Sequence, residues 1–232
     1  MAKPGTASRL TGRGTERADG TRRALVEAAV EVLKTEGFGG ASARAIAGRA
    51  GCNQGLVFYH FGSVVNLLLE ALDSVSATRL AAYGESVAGV DSLPDLVDVA
   101  AAIFEEDLDA GHVSVLVAMI AGASSTPGLG PEVAKRITPW TDFAQQAIDA
   151  SLGPSAVGAM IPSADVALAV VALYLGLEML SHLDGDRTPA LALFDRAQQV
   201  AALVAAFSGP AGPAGPAGPP GSAGSAGSAA AS

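Results

Sequence analysis

Apolar residues recur along most of this chain at spacings of three and four, the period of an amphipathic helix. Leu25, Ala28, Ala29, Val32 and Leu33 form one such stripe and predict a first helix over residues 21–36, with Gly37 ending it and Phe38 anchoring the exit. A second, short helix is expected after Ser42, a good N-cap, with Ala43, Ile46, Ala47 and Ala50 on one face. Gly51 then supplies a turn, Asn53 caps a third helix, and Val57 and Phe61 face inward at i and i+4. Gln54, Leu56, Tyr59 and His60 are left for the outer surface of that helix.

Longer apolar periodicities follow. They predict helices over residues 63–84, 94–110, 113–123, 131–152, 163–183 and 189–207, separated by Gly- and Pro-containing breaks at 127–130, 153–154 and 184–186. The fold class is all-α: an N-terminal three-helix domain, then a longer helical domain. Residues 1–18 read as a basic flexible arm, 19–79 as the first domain (with its pair of short helices at 42–61), and 80–208 as the second. Residues 209–232 read as a disordered Gly/Pro/Ala/Ser tail. This tail follows Gly-X-Y triplets, but seven of them are too few to hold a collagen helix, and a linker-like tail is expected.

Charge gives this layout a direction. The net charge of −9 argues against a nucleic-acid binder until it is divided. Residues 1–61 carry nine basic and five acidic side chains; residues 62–232 carry five and eighteen. A polyanion is attracted at one end only. The single cysteine, Cys52, rules out an intrachain disulfide and a Cys-rich zinc site. No secretory h-region is read at the start, and the apolar run at 166–177 falls short of the ~20 residues of a membrane span. A cytoplasmic protein with no membrane partner is expected.

Two short helices around a glycine turn are the helix-turn-helix pattern, whose second helix enters the major groove, although helical hairpins also occur in ordinary bundles. Ile46-Ala47, Ala50-Gly51, Gly55, the cluster Phe58-Tyr59-His60-Phe61 and residues 63–67 resemble the TetR-type regulators, as does Gly176-Leu177-Glu178 farther along. The resemblance implies that residues 19–79 are a helix-turn-helix DNA-binding domain (helix-turn-helix 42–61) and residues 80–208 a helical ligand-binding (effector-binding) and dimerisation domain, in a homodimer that binds double-stranded operator DNA as a repressor released by a small-molecule effector. It also marks two departures. The family usually has Tyr in place of Phe58 and Lys in place of Val64, and both usual residues reach phosphates. Arg9, Arg13, Arg17, Arg22 and Arg23 stand nearby as candidate replacements.

The candidate DNA-contacting residues are Ser42, Arg44, Asn53, Gln54, Gly55, Leu56, Tyr59 and His60. Gln54 can bond adenine bidentately, Leu56 can meet a thymine methyl, and Arg44 can reach a phosphate or guanine. Tyr59, His60 and the helix start at Asn53 would position the backbone. His60 is equally readable as a half-buried ring supporting Phe61. A pocket is expected among the middle helices, with Phe104, Met119, Trp140, Phe143 and Tyr174 as apolar walls and His112 and Glu178 as polar contacts. The last two helices are expected to dimerise, through Val166, Val170, Leu173, Leu177 and Leu180 on one and Leu191, Phe194, Ala201 and Val204 on the other. No cofactor, metal or catalytic residue is expected, because no nucleophile, phosphate-loop or metal spacing occurs. The alternatives are a helical ligand-binding or interaction protein with weakened DNA binding, or an enzyme.

Overall fold

The computed structural model describes residues 7–152 and 162–207. The Gly-X-Y tail and the break expected at 153–154 lie outside the described residues. Nine helices run through the described residues: α1 (Ala7–Gly40), α2 (Ala43–Arg49), α3 (Gly55–Phe61), α4 (Val64–Val87), α5 (Leu93–Ala110), α6 (Val113–Ala123), α7 (Leu129–Leu152), α8 (Ser163–Asp184) and α9 (Thr188–Phe207).

Helix α1 begins fourteen residues before the expected start, so the part of the arm from Ala7 onward is helical rather than flexible. Extending an existing helix adds one hydrogen bond per residue without a new nucleus, and no proline interrupts this stretch. Gly37 (φ 66°, ψ −171°) breaks the helical geometry at the expected place, and a short helical segment continues beyond it to Gly40. Phe38 then turns in against the core.

The first core is shared between the two expected domains. Leu25, Ala29, Val32 and Leu33 of α1 pack with Ile46, Val57, Leu67, Leu68 and Leu72 of α2 to α4. Val115, Ala118 and Met119 of α6, and Leu129 and Val133 of α7, enter the same cluster. Helix α6 approaches α1 closely because it has no side chain at Gly122: a Cβ there would overlap the Phe38 ring. Lys34 of α1 adds a hydrogen bond to the Ala110 carbonyl at the end of α5 (3.2 Å). The N-terminal three-helix unit is thus seated on α6 through α1.

A second packing centre joins α5, α8 and α9, where Phe104 meets Tyr174 edge-on (5.3 Å) and Phe194 at a tilt (5.1 Å). Helix α9 turns Phe194, Ala201 and Val204 toward the protein, not outward as expected for a dimer seam. Its exposed large apolar residues are Leu193, Val200 and Leu203. On α8, Val170, Leu173 and Leu180 are exposed as expected, together with Leu168, Met179 and Leu183. Helix α8 is long and apolar enough to cross a membrane by composition, yet its inner face carries the buried acid Glu178.

Candidate nucleic-acid interface and ligand cavity

The helix-turn-helix is fixed by three side-chain caps. The Ser42 hydroxyl accepts from the Ala45 N–H (3.2 Å) and starts α2. Gly51, at φ 66°, makes the turn in a backbone region that Cβ-bearing residues resist. Asn53 Oδ1 accepts from the Gly55 N–H (2.7 Å), and Gln54 already has helical backbone angles, so Asn53 acts as the N-cap of α3. Ser63 starts α4 by accepting from the Asn66 N–H (3.1 Å). Asn66 Nδ2 in turn donates to the Phe61 carbonyl (2.9 Å), tying the end of α3 to α4. Asn66 was not among the sequence candidates, and Asn three residues after a Ser cap was the signal that could have found it.

Val57 and Phe61 are buried under α3, leaving Gln54, Gly55 and Tyr59 exposed. Tyr59 is 79% exposed, and the half-buried His60 ring lies edge-on to it at 4.9 Å and 6.1 Å from Phe61. Arg44 is exposed on α2. Leu56 is half-buried against the core, less exposed than the outer-surface position expected for it. Phe58, four residues after Gln54 and on its face, takes that place at 53% exposure. Val64 is also half-buried against the core. Arg22, a candidate phosphate contact, pairs with Glu70 of α4 (2.5 Å) and lies over the Phe61 ring, while Arg17 and Arg23 are exposed. The side chains of Arg9 and Arg13 lie outside the described residues.

A cavity of about 800 Å³ opens among α4, α5, α7 and α8, bordered also by Val204 of α9. Most of its wall is aliphatic or aromatic. Trp140 and Phe143 of α7 border it and flank Tyr83 of α4 at ring distances of 5.5 and 6.2 Å. Tyr174 and His112 border it as well. Phe104 and Met119 do not: both are fully buried core residues, Phe104 on α8 and α9 and Met119 against α1. Apolar residues on adjacent faces of a helix look alike in sequence, and only the neighbours decide which face meets space. Glu178 borders a smaller cleft of about 240 Å³ between α1, α6 and α8.

The polar part of the cavity is a connected cluster that the sequence reading largely missed. Arg79 of α4 and Asp107 of α5, both buried, form an ion pair, and Arg79 Nη1 also donates to Glu106 (2.9 Å). The hydroxyls of Tyr83 and Tyr174 both donate to Asp107 Oδ2, the latter at 2.8 Å. The His112 ring stands 3.9 Å from Asp107 Oδ1. The available signal was a charge within an apolar stripe, Arg79 between Leu72 and Tyr83, and Asp107 after Ile103 and Phe104.

Burial dominates the electrostatics here. It raises the Asp107 carboxyl above its ordinary range despite the tyrosine and arginine contacts, and lowers His112. Burial, then the Asp107 charge, pushes Glu178 up to about 8. The same two causes raise the Tyr174 phenol. For Arg79, burial works against the charge but Glu106 and Asp107 outweigh it.

An N-terminal helix-turn-helix on an all-helical, cavity-bearing body defines the class. Residues 25–71 match the sequence model described as "Bacterial regulatory proteins, tetR family", so this segment is similar to the DNA-binding domain of that family. A curated relative, the HTH-type transcriptional repressor NicS of Pseudomonas putida, is 35% identical over 71 residues, 31% of this chain and 34% of the relative. That match spans about a third of the relative's length. The whole fold resembles a TetR-family regulator from Rhodococcus sp. (TM-score 0.66, 20% identity, covering 80% of this chain and 98% of that one). It also resembles the fatty acid degradation regulator FadR of Bacillus halodurans (TM-score 0.63, 10% identity, covering 77% and 93%).

Proposed function

We propose that this protein is a DNA-binding transcriptional regulator, a repressor that leaves its operator when a small molecule occupies the cavity. The observation that carries the reading is the capped α2–turn–α3 unit, whose outward face presents Gln54, Phe58 and Tyr59 at the basic end of the chain. Gln54 is assigned to an adenine edge, and Phe58 replaces Leu56 as the candidate thymine-methyl contact. Ser42, Arg44, Asn53, Tyr59 and His60 position the phosphate backbone. The test is binding of the full chain to DNA from upstream of its own gene against random DNA at low salt. A preference of at least about tenfold is expected, since specific sites exceed non-specific binding by far more than this. Equal affinity rejects the regulator.

Two copies are assigned to the active form. The exposed apolar residues of α8 and α9 form a face that no other described residue covers, and a self-complementary pair of such faces makes a two-fold four-helix interface. Operator half-sites one helical turn apart call for this symmetry. The effector is assigned to the cavity, with Trp140, Phe143, Tyr174 and His112 among its walls. Because α6 begins at the cavity and ends against Phe38, occupancy at one end bears on the seat of the DNA-binding helices.

A further inference from the structure

We infer that Asn66 is a positioning residue for operator recognition: its side-chain amide fixes the angle at which α4 holds the recognition helix α3. This rests on the regulator reading, and it concerns the joint between the two helices, not the surface that meets the bases.

Helix α3 has few means of fixing its own direction. It is seven residues long, too short to be stable by itself, and only Val57 and Phe61 among them are buried. Apolar burial keeps that face inward but is non-directional, so it resists a tilt only weakly. Helix α4 is better anchored, with Leu67, Leu68, Leu69, Ala71 and Leu72 all buried near its start. The chain bends by 67° from α3 to α4. Only Gly62 and Ser63 separate the two, and Gly62 stands at φ 74°, where glycine meets no steric penalty.

Asn66 spans this joint. In a capping box, the third residue of a helix reaches back with an acceptor to the N–H of its own cap. Ser63 makes its half of such a box by accepting from the Asn66 N–H (3.1 Å). The Asn66 side chain instead carries a donor past the cap: Nδ2 donates to the Phe61 carbonyl (2.9 Å), one of the terminal carbonyls of α3. Among the described residues this is the only hydrogen bond that joins α3 to α4. Arg22 holds the other side of Phe61, lying over its ring at 5.3 Å while paired with Glu70 of α4. That pair is exposed and weakens with salt, whereas the amide bond carries no net charge.

A small rotation at the joint has a large effect at the bases. Gln54 lies about 12 Å along α3 from Gly62, so a tilt of roughly 15° carries it about 3 Å, beyond the tolerance of a hydrogen bond. Asn66 is itself exposed, so its bond adds little to overall stability and acts through direction.

The experiment compares the full chain with Asn66→Leu, a near-isosteric change that removes the donor and leaves α4 with a better helix former. Binding to DNA from upstream of its own gene and to random DNA is measured over a range of salt, with folding checked by circular dichroism. The operator preference is expected to fall at least about tenfold, the order of one base contact, while affinity for random DNA stays within about twofold and the salt slope is unchanged. Unchanged preference overturns the inference. Equal loss on both DNAs also overturns it, since Asn66 would then touch the DNA backbone itself. Asn66→Ala removes the same donor without adding apolar surface and should show the same loss; a loss confined to Asn66→Leu counts against the hydrogen bond. Asn66→Ala decides alone if Asn66→Leu fails to fold. A wild-type chain without operator preference rejects the regulator reading and this inference with it, whereas a wild-type preference that both variants keep rejects this inference only.

Discussion

Glu178 shows how one buried side chain makes stability depend on pH. Its folded pKa of about 8 lies above the ordinary 4.5, so between those values the folded chain keeps a proton that the unfolded chain releases. The stability this contributes is complete below the window and is lost as pH rises through it. Glu178→Gln, which stays neutral, should flatten that decline. Its advantage over the wild type should grow to the order of a few kcal/mol between about pH 5 and about pH 9. Urea midpoints at the two pH values measure it, and parallel curves would show that Glu178 does not titrate in this window. A second prediction belongs to α3. Gln54→Ala should lose preference at one base position, by about 1–3 kcal/mol, while binding to random DNA changes little. Selection from a randomised operator library reads this, and uniform weakening would assign Gln54 to the backbone.

At the scale of the helices, α6 belongs to the same core as the N-terminal helices. A Cβ at Gly122 would overlap the Phe38 ring, so Gly122→Ala must displace Phe38 or α6 itself. Overpacking of this kind costs about 1–3 kcal/mol, several degrees in melting temperature for a chain of this size. Thermal melts should show the loss, and Phe38→Ala in the same chain should restore part of it. Additive losses would mean that the two positions do not touch. The boundaries of α6 were readable from residues 113–123 alone, since Gly111 and the Ser/Thr/Pro/Gly run after Ala123 punctuate it. Its burial against α1 was not readable, because nothing local to α6 names its partner. On α3, Leu56 is half-buried and Phe58 exposed, and residues two apart lie on nearly opposite sides of a helix, so only the packed neighbours decide which of the two meets solvent.

For the whole molecule, the uncovered α8 and α9 face and the basic front make predictions that can be separated. Replacing Leu173 and Leu203 together by Glu should give a monomer in sedimentation experiments, since like charges would then meet across the proposed two-fold interface. Operator affinity should fall strongly while each chain stays helical. A dimer that persists would place the interface elsewhere. The sequence by itself determined the helical class, the caps at Ser42 and Asn53, the glycine turn and the polarity of charge. Each of these is a local property of a few neighbouring residues or a simple sum along the chain. Tertiary structure decided which apolar residues close a core and which line a cavity, separating Phe104 and Met119 from Trp140 and Phe143. It also brought Arg79 and Asp107 together from separate helices and turned Val204 inward and Leu203 outward on α9. Periodicity states that a helix has an apolar side; only packed neighbours decide what that side meets, and a buried charge is tolerable only where a distant partner arrives.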